Sequence, residues 1–201
     1  MTHKSSSAYT ISIIGVLGAL LIMQAYIPMF GYIRIIPGLP AISTMHLTVI
    51  MAGVILGVRG GAGLGLMWGV ISLVKAYTDA TDPLTLLLFQ NPVIAIIPRV
   101  MVGIVAGAIF NHIAPSVLHG VGATVKMIAA GVAGALTNTA LVILFTWLFF
   151  AHNATQVLAG ANAPNLWWLL MVAFATNAAL ETLMAGVVTP VIGQGLMRFK
   201  R

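Results

Sequence analysis

From Tyr9 to Ile27 the sequence runs without a charged side chain, and comparable uncharged apolar runs recur almost to the C-terminus. A hydrocarbon core of about 30 Å is crossed by about 20 apolar residues in α-helix, and there the backbone must satisfy its own N–H and C=O groups. None of the runs alternates polar and apolar residues as a barrel strand would. Of 201 residues, 60% are apolar and 6% charged, with a mean hydropathy of +1.08, where soluble domains carry about a quarter charged residues. The chain reads as an all-α membrane protein, a single domain over residues 1–201, folded as a compact bundle of six transmembrane helices.

The spans are expected at Tyr9–Ile27, His46–Val58, Gly60–Tyr77, Pro92–His112, Gly120–Ala151 and Leu166–Met197. The first has no small-x-small cleavage site after it and is read as a permanent helix. Six spans put both termini on one side. With that side inside, Lys4, Arg59, Lys126, Arg198, Lys200 and Arg201 are inner, while Arg34, Lys75, Asp79 and Asp82 are outer, so the positive-inside rule selects N-in, C-in. The inner turns near 58–60 and 114–119 are short. The outer loops, near 28–45, 78–91 and 152–165, are longer, and the first contains Pro37, Gly38 and Pro40, which preset turns. Such elaborated outer loops suit a cover over an outward-facing cavity, and they also suit plain connectors. The last two spans exceed the minimum length, and Pro190 is expected to kink or end the final one.

The net charge of +6 comes from basic residues scattered along an apolar chain, which topology explains better than nucleic-acid binding. The absence of cysteine excludes disulfides, thiol catalysis and Cys-ligated metals. The five histidines are dispersed and no His-Glu-x-x-His pair occurs, so neither a metal site nor an enzyme is expected. Gly61-Ala62-Gly63-Leu64-Gly65 follows no strand and continues into a span, so it reads as a helix-packing device, as do Gly103 with Gly107 and Ala130 with Gly134.

A charged group near the bilayer centre costs about 2.5–3.5 kcal/mol even on lenient scales, so polar residues within spans mark candidate function. Arg99, Asn138 and Glu181 lie inside spans four, five and six. Helical spacing adds companions: Trp68, Ser72 and Lys75 share a face, as do Asn91, Ala95 and Arg99, and Asn177 with Glu181. A cavity lined by these stripes offers cations, amides, one carboxylate and an aromatic shelf, which suits a small polar molecule with an anionic group. The same residues also fit a structural role, in which Arg99 and Glu181 neutralise each other and the asparagines bond between helices. His46, at a helix start, reads as a capping, packing or ligand residue.

The stretch HLTVIMAGVILGVRGGAGLGLMWGVISL, from His46 through Trp68 and beyond, resembles the S components of energy-coupling factor (ECF) transporters. So do Phe89-Gln90-Asn91-Pro92 and Pro98-Arg99-Val100-Met101-Val102-Gly103. These are the six-helix membrane subunits that capture vitamins, and the pattern is most like their pantothenate type. The resemblance covers essentially the whole chain.

It implies a subunit of a bacterial plasma membrane that binds its vitamin from outside and delivers it through a shared transmembrane coupling subunit and two cytoplasmic ATPases. ATP is then used by the partners and no cofactor is held here, in keeping with the lack of a Walker A sequence. It also implies a small-xxx-small docking motif on the first helix, and Gly15 and Ala19 stand in that pattern, with Gly where the family usually has Ala. For pantothenate, Arg99 or Lys75 would meet the carboxylate, Asn91, Asn138 and Asn177 the amide and hydroxyls, and Trp68 the apolar part. Pyridoxine, a hydroxymethylpyrimidine and riboflavin remain open as substrates. A stand-alone secondary transporter is disfavoured by the lack of an internal repeat, and a purely structural bundle predicts no ligand.

Overall fold

A computed structural model describes residues 7–27, 29–33, 42–78, 83–112 and 120–197. Pro28, Arg34, Pro37, Gly38 and Pro40 of the first loop lie outside the described residues, as do Asp79, Asp82, the turn at 114–119, Lys4, Arg198, Lys200 and Arg201. In chain order the elements are α1 (Ser7–Tyr26), β1 (Tyr32–Ile33), β2 (Ile42–Ser43), α2 (Met45–Thr78), α3 (Pro83–Phe89), α4 (Pro92–His112), α5 (Val121–Phe150), a 3₁₀ turn (Ala151–Asn153), α6 (Ala154–Val157) and α7 (Leu166–Met197). Among the described residues, five helices are long and apolar enough to cross a membrane: α1, α2, α4, α5 and α7.

The expected second and third spans form one 34-residue helical element, broken at Gly57. That glycine has φ 78° and ψ −171°, a backbone state that side chains with a Cβ rarely adopt. A straight helix of that length would span about 50 Å at ~1.5 Å per residue. Instead the two limbs run side by side. Ser43, just before the first limb, pairs with Tyr32, whose hydroxyl lies 3.3 Å from Ser72 Oγ on the second limb. Gly53 and Gly61, on opposite sides of the break, both abut the backbone of Gly103. The chain therefore reverses direction where the short inner turn at 58–60 was expected.

Close approach sets the position of α4. A Cβ on Gly61 would collide with the Gly103 carbonyl, and one on Gly65 with the Arg99 carbonyl. Gly69 continues the row, since a Cβ there would come within 2.7 Å of Ile96 Cα. Small residues at i, i+4 and i+8 let two backbones touch, the means by which membrane helices pack when no hydrophobic gradient drives them together. At the Gly57 end, Asn111 Nδ2 donates to the Gly107 carbonyl at 2.7 Å and the Gly53 carbonyl at 3.3 Å, tying α4 to the first limb.

From α4 the bundle continues to α5, then α7, which returns to α2, while α1 lies against α2. The central core is built from Leu21, Met45, Val49, Ile50, Trp68, Val102, Met127 and Ala185 with their neighbours. A second apolar cluster, including Leu88, Ile94, Val142, Leu166 and Leu170, joins α3, the start of α4, the later part of α5 and the start of α7, while Tyr32 of β1 packs against the central core. The connector at 152–165 is partly helical and ends in a reciprocal pair, Asn162 N–H to Asn165 Oδ1 at 2.6 Å and Asn165 N–H to Asn162 Oδ1 at 3.0 Å. α7 does not end at Pro190 but runs on to Met197.

Candidate functional site

The break at Gly57 and the glycine seam bring the second limb of α2 against α4 at the level of Trp68 and Arg99. Trp68 is fully buried and Arg99 is 3% exposed. The Arg99 guanidinium carbon lies 4.3 Å from the ring centre of Phe89 and 5.2 Å from that of Trp68. Two aromatic faces thus hold one cation, an arrangement worth about 2 kcal/mol or more per desolvated pair.

The local sequence explains why Arg99 points there. Pro98 has no N–H, so the Ile94 carbonyl lacks its helical donor. Arg99 Nη1 donates to that carbonyl at 2.7 Å. The side chain is thereby drawn back toward the start of α4, where Phe89 and the β strands lie. Its buried Nε has no protein partner.

The Phe89-Gln90-Asn91-Pro92 motif resolves into separate tasks. Phe89 meets Arg99, and Gln90 Nε2 donates to the Ala76 carbonyl at 3.3 Å, joining the motif to α2. Asn91 Oδ1 accepts the Val93 N–H at 2.9 Å and caps α4, with Pro92 at the first helical position, where its missing N–H costs nothing. Asn91, expected to line the cavity, thus has its carbonyl engaged in capping. Lys75, likewise expected there, has its ammonium over the ring of Tyr26 at 4.9 Å.

Trp68 Nε1 donates to the Tyr32 hydroxyl at 3.3 Å, and that hydroxyl lies 3.3 Å from Ser72 Oγ. Glu181 is buried on α7, where its Oε1 accepts the Ser43 N–H at 2.7 Å. Its main-chain carbonyl accepts from His46 Nε2 at 3.3 Å, and His46 Nδ1 has no protein partner. Glu181 Oε1 is thus engaged by backbone, and among the described residues Arg99 and Glu181 do not form the direct ion pair of the structural alternative.

Register places the asparagines. Gly134 of α5 packs on Ile50 and Val102, so Asn138, one turn further toward the β strands, comes level with His46 and Arg99. Asn138 is buried and its Oδ1 lacks a protein partner. Asn177 is buried one turn from Glu181 on α7. Arg99, Trp68, Ser72, His46, Glu181, Asn138 and Asn177 therefore gather at one end of the bundle. Tyr32 and Ser43 join them from a two-stranded ladder that leaves no periodic trace in sequence. The only local signal was Ser43-Thr44 just ahead of the apolar run from Met45, a helix-start pattern, and Ser43 Oγ does accept the Met45 N–H at 3.3 Å.

A buried cation flanked by aromatic rings, two hydroxyls, and unpartnered amide and imidazole atoms, with the Glu181 carboxylate engaged by backbone, can hold a small anionic polar molecule. Among the described residues no group of three His, Cys, Asp or Glu side chains could hold a metal ion. Residues 10–193 match the family described as ECF transporter, substrate-specific component. The chain is 33% identical over 184 residues to the pantothenate transporter PanT of Leuconostoc mesenteroides subsp. mesenteroides, covering 89% of this chain and 87% of that protein. It is also 33% identical over 208 aligned residues to the pantothenic acid transporter PanT of Lactococcus lactis subsp. cremoris, covering 97% of each chain. With most of its length matched to the family and its apolar helices able to cross a bilayer, the chain is a multi-pass membrane protein and belongs to the substrate-specific components of ECF transporters.

Proposed function

We propose that this chain captures pantothenate from outside a bacterial plasma membrane and delivers it through an ATP-driven coupling module, without catalysing a reaction itself. The observation that carries the reading is the buried Arg99, held between Trp68 and Phe89 with a free Nε, in a chain whose relatives are pantothenate transporters. The guanidinium meets the substrate carboxylate, because Arg presents paired donors to a carboxylate better than any other side chain. Asn138 and Asn177 serve the amide and hydroxyls, the Tyr32 and Ser72 hydroxyls extend that polar wall, and Trp68 faces the gem-dimethyl group.

The reversal at Gly57 supports counting α2 as two passes, and so six in all. The start of α1 and the end of α7 then lie at the Gly57 end, with Arg59 and Lys126, and this supports N-in, C-in with the binding site near the outer surface. Gly15 and Ala19 lie on the exposed face of α1, and a Cβ at Gly15 would meet nothing within 4 Å. That face supports docking to the transmembrane coupling subunit, with ATP hydrolysed by two separate cytoplasmic subunits.

The test is thermal unfolding of the purified chain in detergent against a panel of pantothenate, pyridoxine, a hydroxymethylpyrimidine and riboflavin. A ligand at about 100 times its Kd stabilises by ~2.7 kcal/mol. Pantothenate alone is expected to raise the Tm, and Arg99→Ala is expected to lose that shift while still inserting as a folded bundle. Stabilisation by another vitamin would overturn the substrate, and an undiminished shift in Arg99→Ala would remove Arg99 from the site.

A further inference from the structure

The β1–β2 ladder has two residues in each strand, too few to hold its own register. Register matters here, because a slip of one residue turns every side chain to the opposite face. Tyr32 is the residue whose face is at stake, since its hydroxyl meets both Trp68 and Ser72. Its Cα partner across the ladder is Ser43.

Ser43 is gripped from both flanks. On one side its N–H enters the Glu181 carboxylate at 2.7 Å, with both residues buried. A buried N–H that loses such an acceptor is left unsatisfied, at the full cost of its desolvation. On the other side its neighbour Thr44 is fastened to α1, where Gln24 Nε2 donates to Thr44 Oγ1 at 3.1 Å and Thr48 Oγ1 donates to Gln24 Oε1 at 2.8 Å. Thr44 also closes on the loop itself, through its N–H to the Gly31 carbonyl at 2.9 Å and its Oγ1 to the Phe30 carbonyl at 2.8 Å.

We propose that Glu181 is a positioning residue: by holding the Ser43 N–H it fixes the register of the ladder, and so the place of the Tyr32 hydroxyl against Trp68 and Ser72, without touching substrate. The proposal deepens the pantothenate reading and rests on it only for its affinity predictions.

The chain has no native cysteine, so Ile42→Cys, at a buried position of β2, supplies a single thiol whose reaction with a maleimide reports opening of the ladder. In that background Glu181→Ala removes the acceptor and Ser43→Pro removes the donor. Each is expected to label about tenfold faster, the factor that corresponds to ~1.4 kcal/mol. Glu181→Gln keeps an oxygen for the same N–H and Ser43→Ala keeps the N–H, so both stay slow. Pantothenate affinity falls in Glu181→Ala and Ser43→Pro, stays near the parent's in Glu181→Gln, and falls no further when Glu181→Ala is added to Tyr32→Phe.

Unchanged labelling in both Glu181→Ala and Ser43→Pro overturns the proposal. So does a Glu181→Gln variant that binds as poorly as Glu181→Ala, which would make the carboxylate a ligand or the counter-charge of Arg99. If Glu181→Ala does not fold, Ser43→Pro against Ser43→Ala decides the question with the carboxylate intact. Labelling needs no ligand, so it still decides the positioning role if pantothenate proves not to be the substrate.

Discussion

A proline at position 98 leaves the Ile94 carbonyl without its helical N–H, and Arg99 Nη1 fills that place at 2.7 Å. The pairing sets two demands in opposition. Pro98→Ala restores an ordinary helical bond to Ile94, because alanine supplies the missing N–H and removes the proline's ring clash. The unliganded bundle should therefore be at least as stable, read as an equal or higher Tm. The Arg99 side chain loses its anchor, however, and pantothenate should bind about tenfold more weakly, on the order of one charged hydrogen bond. A split in which stability holds while affinity drops is the signature to look for. Equal affinity would mean that Phe89 and Trp68 alone hold the guanidinium. Arg99, Asn138 and Glu181 were legible in sequence because a polar side chain inside an apolar run is conspicuous. Tyr32 and Ser43 were not, since neither periodicity nor charge marks a residue whose role comes from a two-residue ladder and from partners on α2 and α7.

Contact between α2 and α4 depends on glycine at the places where the backbones meet. Gly65 and Gly63 make a matched pair two residues apart, since a Cβ at Gly65 runs into the Arg99 carbonyl and one at Gly63 meets nothing within 4 Å. Gly65→Ala should destabilise by about 1–3 kcal/mol, the usual cost of overpacking, and should weaken substrate binding because it displaces Arg99 from Trp68. Gly63→Ala should leave binding alone and stabilise slightly, by about 0.5–1 kcal/mol, as alanine favours helix over glycine. Denaturation of the two variants in detergent, beside their pantothenate Kd, checks the contrast; equal effects would mean that the seam has slack. The glycine spacing announced this seam in sequence. The reversal at Gly57 was legible as a short turn at 58–60, but not as a break inside a helix, because only the φ of 78° distinguishes a hinge glycine from a packing one. Lys75 shows the limit of face-sharing arguments: it follows Trp68 and Ser72 at helical spacing, yet its ammonium sits over Tyr26 on α1.

The two tasks proposed for the whole molecule occupy different surfaces. The proposed substrate groups gather at the β-strand end, inside the ring formed by α2, α4, α5 and α7, whereas α1 buries Leu17, Leu21 and Ala25 against the core and turns Gly15 and Ala19 outward. The sequence contains no Walker A motif, so the proposed ATP-driven delivery would draw its energy from a partner. If the small residues of α1 serve that partner, bulk on them should separate capture from delivery. Gly15→Leu combined with Ala19→Leu adds side chains where the isolated bundle has open space. Stability and pantothenate Kd of the purified chain should therefore shift by no more than ~0.5 kcal/mol, as surface changes usually do. In proteoliposomes carrying the full ATP-driven complex, uptake should fall at least about tenfold, because leucines keep two helix backbones from the close approach that small residues allow. Loss of binding in the isolated chain would place α1 in the substrate site, and full uptake by the double variant would move the docking surface elsewhere. The informative outcome is the split, since a chain that still holds its vitamin and cannot pass it on is what separate capture and docking surfaces require.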